Sequence, residues 1–298
     1  MPDFLRRPVA FAMLLLAMAF PTTSAAAEDG YDLWLCYRPL APDLHRRYAP
    51  RLAQLSVPGS SPTLKAAERE LARALDGLLG KRSRTGGLLI AGTPHSSPAV
   101  ARLSLPLAGL GDEGFLIRSV RLGGRPATVI AANRDIGVLY GAFAFLRLLQ
   151  TEQPIGALDL REVPKLSLRI LNHWDNLDRS VERGYAGASL WDWHKLPGWR
   201  DPRYLDYARA NASIGINGTV LTNVNANAEV LTPLYLKKVA ALADMFRPFG
   251  IRVYLTARFS APIELGKLPT ADPLDPQVRA WWKAKADEIY RSIPDFGG

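Results

Sequence analysis

A chain of 298 residues has room for two domains of about 100–200 residues each, and its 48% hydrophobic and 22% charged content is ordinary for a globular protein, with no repeat and no stretch biased enough for disorder. Its net charge of +9, from 37 basic and 28 acidic residues, is scattered over Arg46, Arg47, the run 81–84, Lys237 and Lys238, and a nucleic-acid surface would need it gathered into stripes. The single cysteine, Cys36, excludes an intrachain disulfide and any metal site built on several thiolates; the four histidines (His45, His95, His173 and His194) have no ligand spacing, so no metal and no cofactor is expected.

Residues 1–27 have the form of a signal peptide. Arg6 and Arg7 give a positive start, 9–20 is an apolar run too short to span a bilayer comfortably, and Ala25 and Ala27 fit small-residue cleavage. The protein is therefore expected to be exported, to the periplasm or outside, with no stable membrane span after cleavage. The alternative is an uncleaved anchor. Residues 28–150 read as a small α/β domain. A strand is expected at 31–37, with Cys36 as a small buried hydrophobe inside it. Leu64, Ala67, Leu71, Leu75 and Leu78 have helical spacing and Gly80 follows as a stop. A strand at 87–92 and a hairpin over 114–132, turning at Gly123-Gly124, come next. An amphipathic helix over 135–149 carries Ile136, Leu139, Phe143, Leu146 and Leu149 on one face. Glu68, Glu70 and Asp76 read as the wet face of the earlier helix.

Residues 151–166, with Pro154 and Pro164, read as a connector. From 167 to 298 strands and helices alternate, which argues for parallel βα units. Strands are expected at 168–173, 218–223 and 251–257. Helices are expected near 203–213, from Thr232-Pro233 to about 246, and after Asp275-Pro276. The first strand opens into a long loop, 174–201, rich in aromatic residues (Tyr185, Trp191, Trp193, Trp199); loops of that length in a compact domain are usually functional. In α/β proteins ligands bind at the carboxyl ends of strands. There Trp174 offers a flat face for a sugar ring, and Asn172, Asp175 and Asn176 offer hydrogen-bond partners for hydroxyls. Asn225 and Arg258 also stand at strand ends. An Arg suits a uronate carboxylate, and a structural salt bridge suits Arg258 equally.

The wording NHWDNLD (172–178) followed by ERGYAG (182–187), with GINGTVLTNVNAN (215–227) as a second motif, resembles the start of the catalytic barrel in the α-glucuronidases, family 67 of the glycoside hydrolases. The order of elements ending in NRDIGVLYGAFAFLRLL (133–149) resembles the non-catalytic domain in front of that barrel in α-glucuronidases and hexosaminidases. The resemblance covers nearly the whole chain after the signal. It implies a small N-terminal α/β domain followed by the first three βα units of an incomplete (β/α)₈ TIM barrel. Eight strands take about 250 residues, and only about 130 follow the connector. It also implies an inverting enzyme that removes (4-O-methyl)glucuronic acid from xylo-oligosaccharides, with aldouronic acids and glucuronoxylan oligosaccharides as partners. A homodimer is one assembly for the full-length enzyme, which the sequence leaves open. The family's Trp stacks on substrate, here Trp174, and its valine after the second strand shapes the sugar space, here Val224. The general acid is a Glu on the fourth strand and the basic carboxylates come later, so every catalytic position is expected beyond Gly298. Asp175 and Asp178 are too close in sequence to flank a bond, and Glu182, Glu229 and Glu264 read as surface or turn residues. Little or no turnover is therefore expected of these 298 residues, and poor solubility of the C-terminal half in isolation. The rival readings are another two-domain glycosidase, such as a hexosaminidase, and a non-catalytic sugar-binding protein.

Overall fold

The computed structural model describes residues 29–298 apart from 82, 84 and 226, so the signal expected over 1–27 lies outside the described residues. The described residues up to Cys36 form a unit of their own, and Tyr37–Gly298 forms a second. The first holds one 3₁₀ turn, Leu33–Leu35, instead of the strand expected at 31–37. Leu33 (φ 53°) and Tyr37 (φ 43°) are left-handed, which no extended strand accommodates. Cys36 is half-buried there rather than a core residue.

The second unit begins with α1 (Pro42–Tyr48), β1 (Gln54–Ser56), α2 (Pro62–Leu79), β2 (Leu88–Gly92) and α3 (Pro98–Arg102). It continues with β3 (Phe115–Leu122), β4 (Arg125–Ala132), α4 (Asp135–Gln150) and β5 (Asp159–Glu162). The five strands form one sheet in the order β1-β2-β4-β3-β5, with β1, β2 and β4 parallel and β3 antiparallel to both its neighbours. The hairpin turns where the sequence puts it. Gly123 (φ 54°) and Gly124 (φ 79°) supply the two positive φ values of a tight two-residue turn. Ser61 caps α2, its Oγ accepting the Leu64 amide at 3.2 Å, and Gly80 ends it at φ 64°. One face of the sheet is packed by Ile90, Leu116, Val129 and Ala131 against Val100, Leu107 and Leu110. α4 lies so close on the sheet that a Cβ at Gly141 would stand 2.6 Å from Ile130 Cγ2. β5 falls inside the stretch read as a plain connector. It pairs with β3, and Arg118 grips Asp159 through Nε (3.0 Å) and Nη2 (2.7 Å).

The second sheet is open and wholly parallel: β6 (Ile170–Asn172), β7 (Gly218–Val220) and β8 (Arg252–Tyr254), in that order. Leu171, Thr219 and Val253 lie in register across it. The helix α5 (Arg203–Ala212) joins β6 to β7, and α6 (Pro233–Phe246) joins β7 to β8. α7 (Ala261–Glu264) and α8 (Pro276–Ser292) follow. The strands are shorter than expected, three residues each, because their ends bend into side-chain and loop bonds. Asp275 caps α8 as read, its Oδ1 accepting from the amides of Gln277 (2.7 Å) and Val278 (3.3 Å). Thr232 precedes α6, but its hydroxyl donates to the Glu229 carbonyl at 2.7 Å instead of capping.

Two ionic knots, one buried and one half-buried, join the sheets' surroundings. Glu70 of α2 is 5% exposed, so it is not the wet-face residue the helical pattern implied. It takes Nε (2.7 Å) and Nη2 (2.9 Å) of Arg209 on α5, and the Tyr37 hydroxyl donates to it as well. Burial pulls the Arg209 pKa down, but its hydrogen bonds and charge pairing with Glu70 outweigh that and raise it. Glu113 takes Arg169 Nη2 at 2.6 Å and Asn217 Nδ2 at 2.9 Å, just before β6 and β7.

Candidate functional site

Backbone bonds continue past the last residues of the second sheet and fix where its loops leave. The His173 amide donates to the Val220 carbonyl (3.0 Å), Leu221 to Tyr254 (3.0 Å), and Asn223 to Asp175 (2.8 Å). The Thr256 amide donates to Thr222 Oγ1 at 3.2 Å. The end of the chain meets the outer edge of β8: Gly297 donates to Val253 (2.9 Å) and the Gly298 carbonyl accepts from Leu255 (3.1 Å).

Beneath these loops sits an aromatic block. Trp191 and Trp193 are fully buried, so these two of the loop's aromatics are core, whereas Tyr185 and Trp199 are exposed. The Trp191 ring meets His173 edge-on (5.3 Å between centroids), Tyr207 edge-on (5.1 Å), and Tyr204 and Phe246 at a tilt. Lys238 reaches the Trp193 carbonyl at 2.6 Å and lies 4.4 Å from the centre of the Tyr235 ring.

A polar relay runs along this block. His173 Nε2 is 2.8 Å from the Tyr207 hydroxyl, which is 2.8 Å from Thr219 Oγ1 in the middle of β7. On the other side of the ring, Nδ1 is 3.9 Å from Asp175 Oδ1. Asp175 Oδ2 accepts from Ser189 Oγ at 2.5 Å, and that Oγ accepts the Trp191 amide at 3.0 Å. Burial lowers the His173 pKa below its ordinary value, and the nearby Asp175 charge opposes this without cancelling it. Burial pushes Tyr207 up to about 12. The result is a hydrogen-bonded clamp that holds both neighbours of Trp174.

Trp174 is the exception in that run: at 39% exposed it is turned outward between the half-buried His173 and the buried Asp175. Its carbonyl accepts from the Glu182 amide (2.9 Å) and Asn223 Nδ2 (3.4 Å), so its backbone is pinned while its ring faces solvent. Asn172 ends β6 exposed, and Val224 and Asn225 are exposed beyond β7. Asn225 is held by its amide, which donates to Asn223 Oδ1 at 2.9 Å. Arg258, beyond β8, is exposed and 3.3 Å from Glu264, so its present partner is a carboxylate of the chain. Of the three polar side chains read as sugar partners, Asn172 alone is open to a ligand. Asp175 is 4% exposed and committed to Ser189, and Asn176 Nδ2 is spent on Ser180 Oγ (3.0 Å) and the Glu182 carbonyl (2.8 Å).

The carboxylates near the strand ends are likewise engaged. Asp178 accepts from the Ser180 hydroxyl and amide, and these bonds lower its pKa. Asp192 pairs with Arg179 (3.2 Å) and Lys195 (3.4 Å), and Glu264 holds Ser260 and Arg258. Among the described residues no group of three or more His, Cys, Asp or Glu side chains stands close enough to hold a metal ion. Sequence reasoning missed the roles of Ser189, Tyr207 and Thr219. Their partners lie 12 to 34 positions away, and no local pattern marks them.

Comparison with known proteins gives the constellation a context. The profile described as "Glycosyl hydrolase family 67 N-terminus" matches residues 33–145, and that described as "Glycosyl hydrolase family 67 middle domain" matches residues 148–298. The probable alpha-glucuronidase A of Aspergillus terreus is 34% identical over 297 residues, which cover 96% of this chain and 34% of that protein. Alpha-glucuronidase A of Aspergillus tubingensis is 34% identical over 301 residues, covering 95% and 34%. The chain thus spans about a third of the length of the curated relatives it matches. Among solved structures, a family GH115 4-O-methyl-α-glucuronidase with specificity for decorated arabinogalactans aligns with TM-score 0.55 at 16% identity, over 82% of this chain and 34% of that one. A GH138 enzyme targeting pectin rhamnogalacturonan II aligns with TM-score 0.56 at 15% identity, over 82% and 30%. At those identities the likeness is one of fold.

Proposed function

The chain belongs to glycoside hydrolase family 67, and from that premise we propose that it is the sugar-recognising front portion of an exported α-glucuronidase. In this reading β6, β7 and β8 are the first three strands of a (β/α)₈ barrel, and the domain before them is a non-catalytic support. The ligand is an aldouronic acid, a xylo-oligosaccharide carrying (4-O-methyl)glucuronic acid. Trp174 stacks on a sugar ring, Asn172 and Asn225 meet hydroxyls, and Val224 limits the space beside the ring. Arg258 meets the uronate carboxylate only by leaving Glu264, an exchange of one carboxylate for another.

One observation carries the reading: Trp174 is an exposed indole on a hydrogen-bonded frame. An aromatic held rigid and left open to solvent loses little conformational entropy on stacking, which is what a sugar platform needs. The same geometry argues against turnover by this polypeptide alone. Cleaving a glycosidic bond by inversion takes one carboxyl to protonate the leaving oxygen and a second to activate water on the far side of the ring. Asp175, Asp178, Asp192 and Glu264 are each committed to neighbours within the chain.

The test follows from this division. Aldouronic acids titrated into the 298-residue chain should change its tryptophan fluorescence saturably, while glucuronic acid release stays at background. Trp174→Ala should abolish the fluorescence change. Release of glucuronic acid well above background, or an unaltered titration in Trp174→Ala, would overturn the proposal.

A further inference from the structure

A second cleft lies on the first sheet, at the hairpin end of β3 and β4. Its volume is about 660 Å³, within the range of small-molecule sites. Ser119 and Arg121 of β3 and Pro126 and Thr128 of β4 share its floor, since Ser119 pairs with Thr128 and Arg121 with Pro126 across the hairpin. Arg51 and Gly156 form its opposite wall. The approach is close: a Cβ at position 156 would stand 3.2 Å from Arg51 Nη2, so Gly156 leaves room for the guanidinium.

The charge in this cleft is one-sided. Two guanidinium groups line it, and no carboxylate does. Arg121 is exposed and spends Nη2 on the Gly124 carbonyl at 2.7 Å, which leaves its other donors unassigned. Arg51 is half-buried, and its side chain has no hydrogen bond or ion pair among the described residues. Its donors are therefore open to an acceptor supplied by a ligand. By contrast, the buried Arg209 has Glu70 as its partner, and the half-buried Arg169 has Glu113. The floor is polar in a fixed way. Ser119 Oγ accepts the Leu158 amide at 2.9 Å and donates to the Ile155 carbonyl at 3.2 Å, so the segment that closes the cleft is tied to its floor.

We propose that this cleft is an oxyanion site for a sugar acid. Arg51 and Arg121 take the carboxylate from two sides, as planar guanidinium forks do, and Pro126 gives the pyranose ring a surface. The site is separate from the Trp174 platform and stands whether or not that platform binds sugar.

The experiment removes the platform first. In the full chain carrying Trp174→Ala, sodium glucuronate is titrated by calorimetry, with glucose and inorganic phosphate as parallel probes. Saturable glucuronate binding is expected, weakened about tenfold or more by Arg51→Gln or Arg121→Gln, the size expected for a lost charge-assisted contact. Glucose should not bind. Matching thermal melts for the parent and the variants exclude misfolding, and Arg51→Lys should restore part of the affinity. Absence of glucuronate binding, indifference to Arg51→Gln and Arg121→Gln, or equal binding of glucose would overturn the site. Binding of phosphate without glucuronate would overturn the sugar-acid assignment.

Discussion

His173 is the residue on which the Trp174 frame turns, and its burial makes the frame pH-sensitive. Its pKa in the folded chain lies below that of the unfolded chain, because burial disfavours the imidazolium more than Asp175 favours it. The unfolded state therefore binds the proton more readily. The contribution is complete above the unfolded value near 6.5 and is lost as pH falls from there through the folded value. The groups facing the ring are Asp175, the Tyr207 hydroxyl and the Trp191 edge, none of which titrates in that window as a cation. Thermal stability should fall between pH 7.5 and 5.5, and His173→Gln should flatten that fall; an NMR titration of the His173 ring should give a midpoint below 6.5. Equal slopes for parent and variant would remove His173 from the account. Glu70 carries a larger load. Glu70→Gln leaves Arg209 buried against a neutral partner, and removing one member of a buried ion pair costs about 3–5 kcal/mol, readable as a shift in the urea midpoint.

At the scale of elements, α6 and β8 meet through Gly250, which sits at φ 72° with no space behind it: a Cβ there would stand 2.4 Å from Ile136 Cδ1 of α4. Gly250→Ala should destabilise by about 1–2 kcal/mol from the backbone alone, and by more from the clash. An unchanged melting temperature would mean that α4 gives way. Gly80 and the Gly123-Gly124 pair were legible in the sequence as a stop and a turn. The helices α2 and α4 were read to within a residue or two because they repeat apolar side chains over four or more turns, and each repetition reinforces the period. Three- and four-residue strands give no such repetition. β5 is Asp-Leu-Arg-Glu, an edge strand whose polar residues conceal it, and β1 is as short. The run at 31–37 failed in the opposite direction, since apolar residues without alternation fit a strand and a turn equally. At the candidate site, the sequence pointed to Trp174 and the strand ends. It misread Asp175 and Asn176 as open to ligand, because burial by Ser189 and Ser180 is decided by how the loop folds back on itself.

For the whole molecule, the open sheet sets the behaviour. β6 is the outermost strand of its sheet, with β7 on one side only. Beside that edge Leu166 is 68% exposed and Leu168 61%, and Leu171 of the strand itself is also exposed. An unpaired parallel edge flanked by leucines is a template for another chain. Against this works the net charge of +9, which repels like copies at a range set by the ionic strength. The two effects respond oppositely to salt: screening removes the repulsion and leaves the apolar edge untouched. Sedimentation velocity of the 298-residue chain should therefore show association that grows with protein concentration and grows further from about 50 mM to 500 mM salt. Leu168→Lys places a charge beside the edge without touching a buried contact, so it should suppress the association at both salt levels while leaving the Trp174 titration intact. A chain that stays monomeric at high salt, or a Leu168→Lys variant that associates as readily as the parent, would mean that the edge is protected by its own loops and that the charge has nothing to restrain.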